Sequence, residues 1–256
     1  MKRQYTWRRQ IPDKRDFKFD PTLTHSARQA DLIDYAPHAY DQGNEGSCTG
    51  HGTACAIYVS EHVTDYKWKE YKPSPQFIYY NARLMEGTVA IDCGATIRDA
   101  IKGVNIFGVV PEDSNVLWSE PYLTWAYAIP PTPLMYADAT LHKALKYSAV
   151  AQTREAICAA IVNKLAIVIG ISVYESFEST EVKQTGVVPM PGTCEQLLGG
   201  HCLCVVGYDL DKDWAIVQNS WGKDWGIQGR CYIPFEYLCD PDLAGDFWVI
   251  EKIGVK

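Results

Sequence analysis

Gln42-Gly-Asn-Glu-Gly-Ser-Cys48, running on into Thr49-Gly-His-Gly-Thr-Ala-Cys55-Ala-Ile-Tyr-Val59-Ser, is the stretch that decides the reading of this chain. Cys48, Gly52, Cys55 and Val59 recur at intervals of three or four, which predicts a buried helix with Cys48 near its start. Gly50 and Gly52 lower its intrinsic propensity, so burial has to hold it. Unpaired N–H groups and the positive end of the helix dipole favour thiolate over thiol at such a position, and the thiolate is the nucleophile. Gly43 and Gly46 let the loop turn tightly, leaving the Cys48 N–H and the Gln42 amide as candidate donors to a developing oxyanion.

A cysteine nucleophile requires a base, and Gly199-Gly200-His201 opens a strand predicted over 201–208. The two glycines leave the imidazole open to a substrate. A lone histidine is more often a core or surface residue, so His201 gains weight only from a partner further along the chain. Asn219-Ser-Trp221-Gly-Lys-Asp-Trp225-Gly comes after a second predicted strand, 214–219, that would pair with the first. An asparagine there can accept the imidazole N–H and fix its tautomer, while Trp221 shields that bond from water. The bland reading is a Gly-rich hairpin with packed tryptophans. His51, three residues after Cys48, would face away from the cleft opening.

These three strings, in the order Cys, His, Asn, resemble the papain and cathepsin (C1) family of cysteine peptidases. Further strings, Tyr5-Thr-Trp7, Gly94-Ala-Thr-Ile-Arg98-Asp99 and Asp240-Pro-Asp-Leu-Ala-Gly-Asp246-Phe-Trp248, resemble the short microbial branch that includes xylellain. The resemblance implies an α+β fold, with a helical left domain, a β-barrel-like right domain and a cleft between them. Cys48 and His201 would face each other across that cleft, Asn219 would orient the histidine, and Gln42 would serve the oxyanion. It also implies that Gly94 and Ala95 bind substrate backbone and that Trp221 borders the cleft. Gly170, Gly200 and Asp246 would surround the pocket for the second residue before the scissile bond. Two glycines make that pocket roomy, and Asp246, if it reaches inside, favours a basic or polar side chain. Two positions depart from secreted members: Glu45 and Thr49 stand where those carry a disulfide-bonded cysteine and a tryptophan.

The rest of the chain agrees with this frame. At 256 residues and 47% hydrophobic it can bury a large core. A formal charge of -7 disfavours a general nucleic-acid binder. Residues 1–20 carry seven Lys or Arg against three Asp or Glu, +4, leaving -11 on the remainder. The first residues lack the apolar run of a secretory signal, and no run is long enough for a membrane span. Nine scattered cysteines read as mostly reduced. A cytoplasmic, virion or host-delivered protein is therefore expected.

Residues 1–35 read as a propeptide-like or cleft-covering extension, 36–135 as the helical domain with the nucleophile, and 136–256 as the β-rich domain with His201 and Asn219. Helices are expected from Cys48, from Pro75 to about Arg83, over 95–104 and over 153–163. Strands are expected over 166–174, 201–208, 214–219, 231–233 and 247–253. The Pro-rich 128–133 marks the crossing between halves.

The expected function is a cysteine endopeptidase working through a thiolate–imidazolium pair and an acyl-enzyme thioester. The alternatives are a non-catalytic peptide-binding pseudopeptidase and an acyl-transferring ligase on the same fold. A metal site is not expected: Cys202 and Cys204 share one strand face while His201 takes the other, and no Cys-x-x-Cys pair occurs. No cofactor is required. The expected partners are a peptide or protein substrate and the chain's own extension as inhibitor, without nucleic acid or membrane, on a monomer.

Overall fold

The computed structural model describes residues 3–21, 27–64, 71–115, 118 and 125–254. Residues 1–2 and 22–26 of the expected extension lie outside the described residues. Helix α1 spans Cys48–Thr64, α2 Pro75–Glu86 and α3 Ile97–Phe107. The starts of α2 and α3 are set by local chemistry. Ser74 and Thr96 stand in extended conformation and accept N–H bonds from Phe77 and Asp99, each cap contributing about 1 kcal/mol.

Helix α1 is buried nearly all round, with Ala54, Ile57 and Val59 fully enclosed, which is why the sequence could spare its polar face. Gly50 and Gly52 make this possible. A Cβ at Gly50 would lie 2.4 Å from the Pro75 carbonyl oxygen, and one at Gly52 would lie 2.9 Å from Cys202 Sγ. Small residues therefore let α1 press on α2 on one side and on the sheet on the other.

The sheet holds seven strands: β1 Gln29–Asp31, β2 Lys143–Ala149, β3 Ile167–Tyr174, β4 Leu197–Asp209, β5 Trp214–Gln218, β6 Arg230–Pro234 and β7 Ala244–Gly254. Its order is β2-β7-β3-β4-β5-β6, all antiparallel, with β1 added on β4. It does not close into a barrel; β2 and β6 remain edges. The long β4 takes β3 along 197–205 and then β1 at 207–209 on the same edge, while β5 lines the other. Short helices α4 Pro133–Ala139, α5 Arg154–Val162, α6 Thr180–Thr185 and α7 Phe235–Cys239 complete the chain.

Five strands and the first helices lie close to their expected spans. β1 and β2 have no counterpart in the sequence reading: one is three residues long, and the other carries two lysines and two alanines, poor strand formers. Pro133 begins a helix with Thr132 as its cap rather than only breaking one, and residue 135 lies within it. Residues 29–31 are part of the sheet, and Leu32 is buried beside them.

Alanine at Gly50 gains about 1 kcal/mol of helix propensity but drives its Cβ into a backbone oxygen that has nowhere to go. Urea unfolding of Gly50→Ala is expected to show a net loss of about 1–2 kcal/mol.

Candidate active site

Cys48 is the first residue of α1, and its thiol is fully enclosed. Backbone hydrogen bonding from Cys202, the residue after His201 on β4, and from Thr49, together with bonds from Thr6, favours the thiolate. Burial nevertheless dominates and pushes the thiol up from its ordinary range. His201 is equally enclosed. Its Nε2 donates to Asn219 Oδ1 at 2.9 Å, and the same oxygen accepts the Ser220 backbone N–H at 2.8 Å. Two donors on one amide oxygen fix which way the Asn219 side chain points. Burial pulls the imidazole down to about 4, against the raising effect of the Asn219 bond. Nδ1 of His201 has no hydrogen-bond partner among the described residues.

The Trp221 ring stacks on His201 at 5.0 Å between centroids, and Phe177 and Trp225 meet Trp221 edge-on. Beside this aromatic wall both His201 and Asn219 are buried. Gln42 sits opposite. Its backbone N–H donates to the Ser220 carbonyl at 3.0 Å, and its side-chain oxygen accepts the Ser220 hydroxyl at 2.5 Å. Its Nε2 donates to the Glu45 carbonyl at 2.8 Å, leaving the second amide hydrogen unassigned. Ser220 thus orients both Asn219 and Gln42, a role the sequence reading did not single out.

His51, at the back of the nucleophile loop, bonds through Nδ1 to the Ser47 carbonyl at 2.9 Å, and burial pulls it down to about 3.

The cleft is filled by the chain's own residues 3–10. The Arg3 guanidinium lies 3.9 Å over the Trp221 ring, and Tyr5 meets His201 edge-on and bonds Glu178. Thr6 Oγ1 donates to the Gly46 carbonyl at 2.8 Å, and Trp7 N–H donates to the Gly200 carbonyl at 2.9 Å. Gly94, at φ +73°, lies so close that a Cβ there would fall 1.9 Å from the Thr6 carbonyl oxygen. The Trp7 indole occupies the space above Gly170 and Gly200; a Cβ at Gly170 would lie 1.9 Å from its ring. Arg8 pairs with Glu86, Arg9 bonds the Pro241 and Ala244 carbonyls, and Gln10 N–H donates to Asp246 Oδ2 at 2.9 Å.

Cys48, His201, Gly94, Gly170, Gly200, Trp221 and Asp246 therefore line one segment, with Asn219 bonded to His201 and Gln42 joined to Asn219 through Ser220. Ala95 is buried behind Gly94. Asp246 adopts φ +57°, a left-handed conformation uncommon outside glycine, and it is pushed up to about 6 by burial. It accepts the Gln10 backbone N–H, and the Arg9 charge and the Trp7 side chain of the same segment also favour its ionised form. The signal for this occupancy was Tyr5-Thr-Trp7, two aromatics in an otherwise charged stretch.

Comparison with known proteins places the chain among cysteine proteases. The sequence model of the papain family of cysteine proteases matches residues 27–237. The chain is 37% identical over 221 residues to an uncharacterized peptidase C1-like protein of Acanthamoeba polyphaga mimivirus, covering 83% of this chain and 69% of that protein. It is 28% identical over 232 residues to a cathepsin B-like protein of Giardia intestinalis, covering 84% of this chain and 73% of that one. Its structure resembles that of xylellain, a cysteine protease from Xylella fastidiosa. The TM-score is 0.86 at 34% identity, over 98% of this chain and 96% of the other.

Glu45, enclosed in the nucleophile loop, bonds Gln76 and is pushed up from 4.5 to about 7 by burial, with the nearby Asp92 charge acting in the same direction. An acid harder to ionise when folded leaves stability intact below its unfolded value and removes it as pH rises toward and past 7, by about 3 kcal/mol once fully charged. Urea unfolding should therefore show the parent weakening between about pH 5 and 8, and Glu45→Gln abolishing most of that decline.

Proposed function

The chain belongs to the papain family of cysteine proteases, and from that membership we propose which of its groups carry each step of peptide-bond hydrolysis. Cys48 Sγ attacks the peptide carbonyl carbon, and the C–N bond breaks as His201 hands its proton to the leaving amine. The thioester left on Cys48 is opened by water, whose proton passes to His201 while the sulfur leaves as thiolate. Nε2 of His201 is taken by Asn219, so Nδ1 is the nitrogen assigned to the sulfur. The Cys48 N–H and the second Gln42 amide hydrogen hold the oxyanion in the tetrahedral intermediates. Nothing in this cycle calls for a metal or cofactor.

The observation that carries the assignment is the single hydrogen-bonded set, Gln42–Ser220–Asn219–His201, lying with Cys48 beneath an extended peptide. Residues 3–10 supply that peptide, and we read them as an inhibitor in the cleft. They pass Trp221 first and Asp246 last. A substrate whose second residue before the scissile bond fills the Gly170–Gly200 pocket runs the other way, so the segment lies over Cys48 without presenting a bond in the productive direction. The same burial that raises the thiol and lowers the imidazole belongs to the covered state. Removing the cover admits water to both charges and lets the thiolate–imidazolium pair form.

In this reading Gly94 and Ala95 hold substrate backbone, and Gly170 and Gly200 floor a pocket large enough for an aromatic side chain. Asp246 sits at its rim. The nucleophile comes from the helical lobe, residues 36–135, and His201 with Asn219 from the sheet lobe, 136–256. The nine cysteines are all free, which suits a monomeric enzyme of a reducing compartment. Among the described residues no helix is long and apolar enough to cross a membrane.

Cys48→Ala should abolish peptide cleavage, and unchanged turnover in that variant refutes the assignment. Gln42→Ala is expected to lower kcat by about 100-fold or more. Deleting residues 1–12 should speed iodoacetamide alkylation of Cys48 at least about ten-fold near pH 6 and make it nearly independent of pH between about 5 and 8. In the full chain the rate should climb with pH as the buried thiol ionises. Equal rates in the two chains would remove the inhibitory role of the segment.

A further inference from the structure

The Gln42 side chain is held by more than Ser220. Its Nε2 donates to the Glu45 carbonyl, and that carbonyl belongs to the same peptide group as the Gly46 N–H. The Gly46 N–H in turn donates to both oxygens of Asp92, at 3.1 and 3.0 Å. One peptide plane thus stands between a carboxylate and the amide assigned to the oxyanion. The carboxylate takes a second donor, the Tyr79 hydroxyl at 2.6 Å, and that hydroxyl accepts the Gly94 N–H at 3.0 Å. Tyr79 is fully buried in α2.

We propose that Asp92, braced by Tyr79, is a positioning residue that fixes the Gln42 amide through the Glu45–Gly46 peptide and ties that loop to the substrate-binding backbone at Gly94. This rests on the oxyanion reading of Gln42 and extends it.

The connection has two physical effects. An anion on the N–H end of an amide polarises it, so the carbonyl at the other end becomes a stronger acceptor and holds Gln42 Nε2 more firmly. The bidentate contact also fixes the orientation of the peptide plane, which decides where the Gln42 amide points. Preorganised donors matter because reorientation during the reaction is avoided. The loop has no disulfide to hold it: all nine cysteines are free, and Glu45 rather than cysteine precedes Gly46. Glu45 itself faces Gln76 on α2, so two acidic side chains with different partners anchor the turn. The enclosed one is pushed up to about 7, which limits repulsion against Asp92.

The test is a double-mutant cycle in the full chain, with kcat and KM measured on one fluorogenic peptide. Asp92→Asn is expected to lower kcat about ten-fold with KM changed less than about two-fold. In a Gln42→Ala background the same substitution should cost less than about two-fold, because the group it positions is already gone. An equal loss in both backgrounds, or no loss in the parent background, overturns the proposal. Loosening of the covering segment through Thr6 would raise activity, the opposite sign. Tyr79→Phe keeps the ring and deletes the hydroxyl, so it decides the matter if Asp92→Asn does not fold: a kcat loss confined to the Gln42 background supports the brace.

A second readout needs no turnover. The side-chain amide protons of Gln42, followed by nitrogen-edited NMR, should shift upfield in Asp92→Asn, and resonances that stay in place overturn the coupling. Were the parent to cleave no peptide even after residues 1–12 are removed, the catalytic reading would fail while this NMR comparison still reported on the brace.

Discussion

Backbone pairing between residues 40–42 and 220–222 is the joint on which the site depends. Gln42 N–H bonds the Ser220 carbonyl, Gly222 N–H bonds the Tyr40 carbonyl, and Asp41 bridges Trp221. These bonds fasten the loop that ends in Cys48 to the loop that begins at Asn219. The helix start also meets the histidine strand directly, with Gly52 against Cys202, and the loop pairing fixes how the Gln42 and Asn219 ends face each other. Ser220 carries the joint into the chemistry, since its hydroxyl sets the Gln42 amide and its N–H sets the Asn219 amide. Fixing those two amides in advance is what electrostatic stabilisation of a transition state requires.

The second constraint is desolvation. A segment that seats an indole over two glycines and a threonine over the thiol excludes water from Cys48 and His201 alike, and both neutral forms are favoured there. The helix start still points its positive end at the sulfur, yet that effect is at most about 1–2 kcal/mol and loses to complete burial. In the proposed reading the covering segment acts twice, by occupying the cleft and by withdrawing the solvent that would sustain a thiolate–imidazolium pair. Its attachments are of two kinds. Trp7 is an enclosed contact and Thr6 a partly buried, uncharged one, both insensitive to salt, while the Arg8–Glu86 pair has one partner half exposed and is open to screening.

The third is how a turn built from glycine and polar residues keeps its shape without a covalent bridge. Here the turn is tied outward to α2 and to the 92–95 stretch by Asp92, Tyr79, Gln76 and Glu45. Hydrogen bonds to a charged acceptor are about twice as strong as neutral ones, and several on one turn fix its orientation as a disulfide would fix its span. Reducing conditions leave such a brace untouched.

The sequence alone supplied the residues proposed as nucleophile, base, orienting amide and oxyanion donor. Each lies in a short string whose local backbone, a helix start, a strand opening or a turn, already restricts what its side chain can do. It also determined most helices and strands, through apolar periodicity and the Ser74 cap ahead of Pro75. The tertiary structure alone decided that residues 29–31 join the sheet, that 143–149 is a strand, and that the sheet stays open. Strand pairing is made by partners far along the chain and carries little local signal. It alone decided the direction and depth of residues 3–10 in the cleft, the partner of Asp246, and the link from Asp92 to Gln42. Those depend on which backbone groups of distant segments come within hydrogen-bonding distance, and no window of sequence contains that distance.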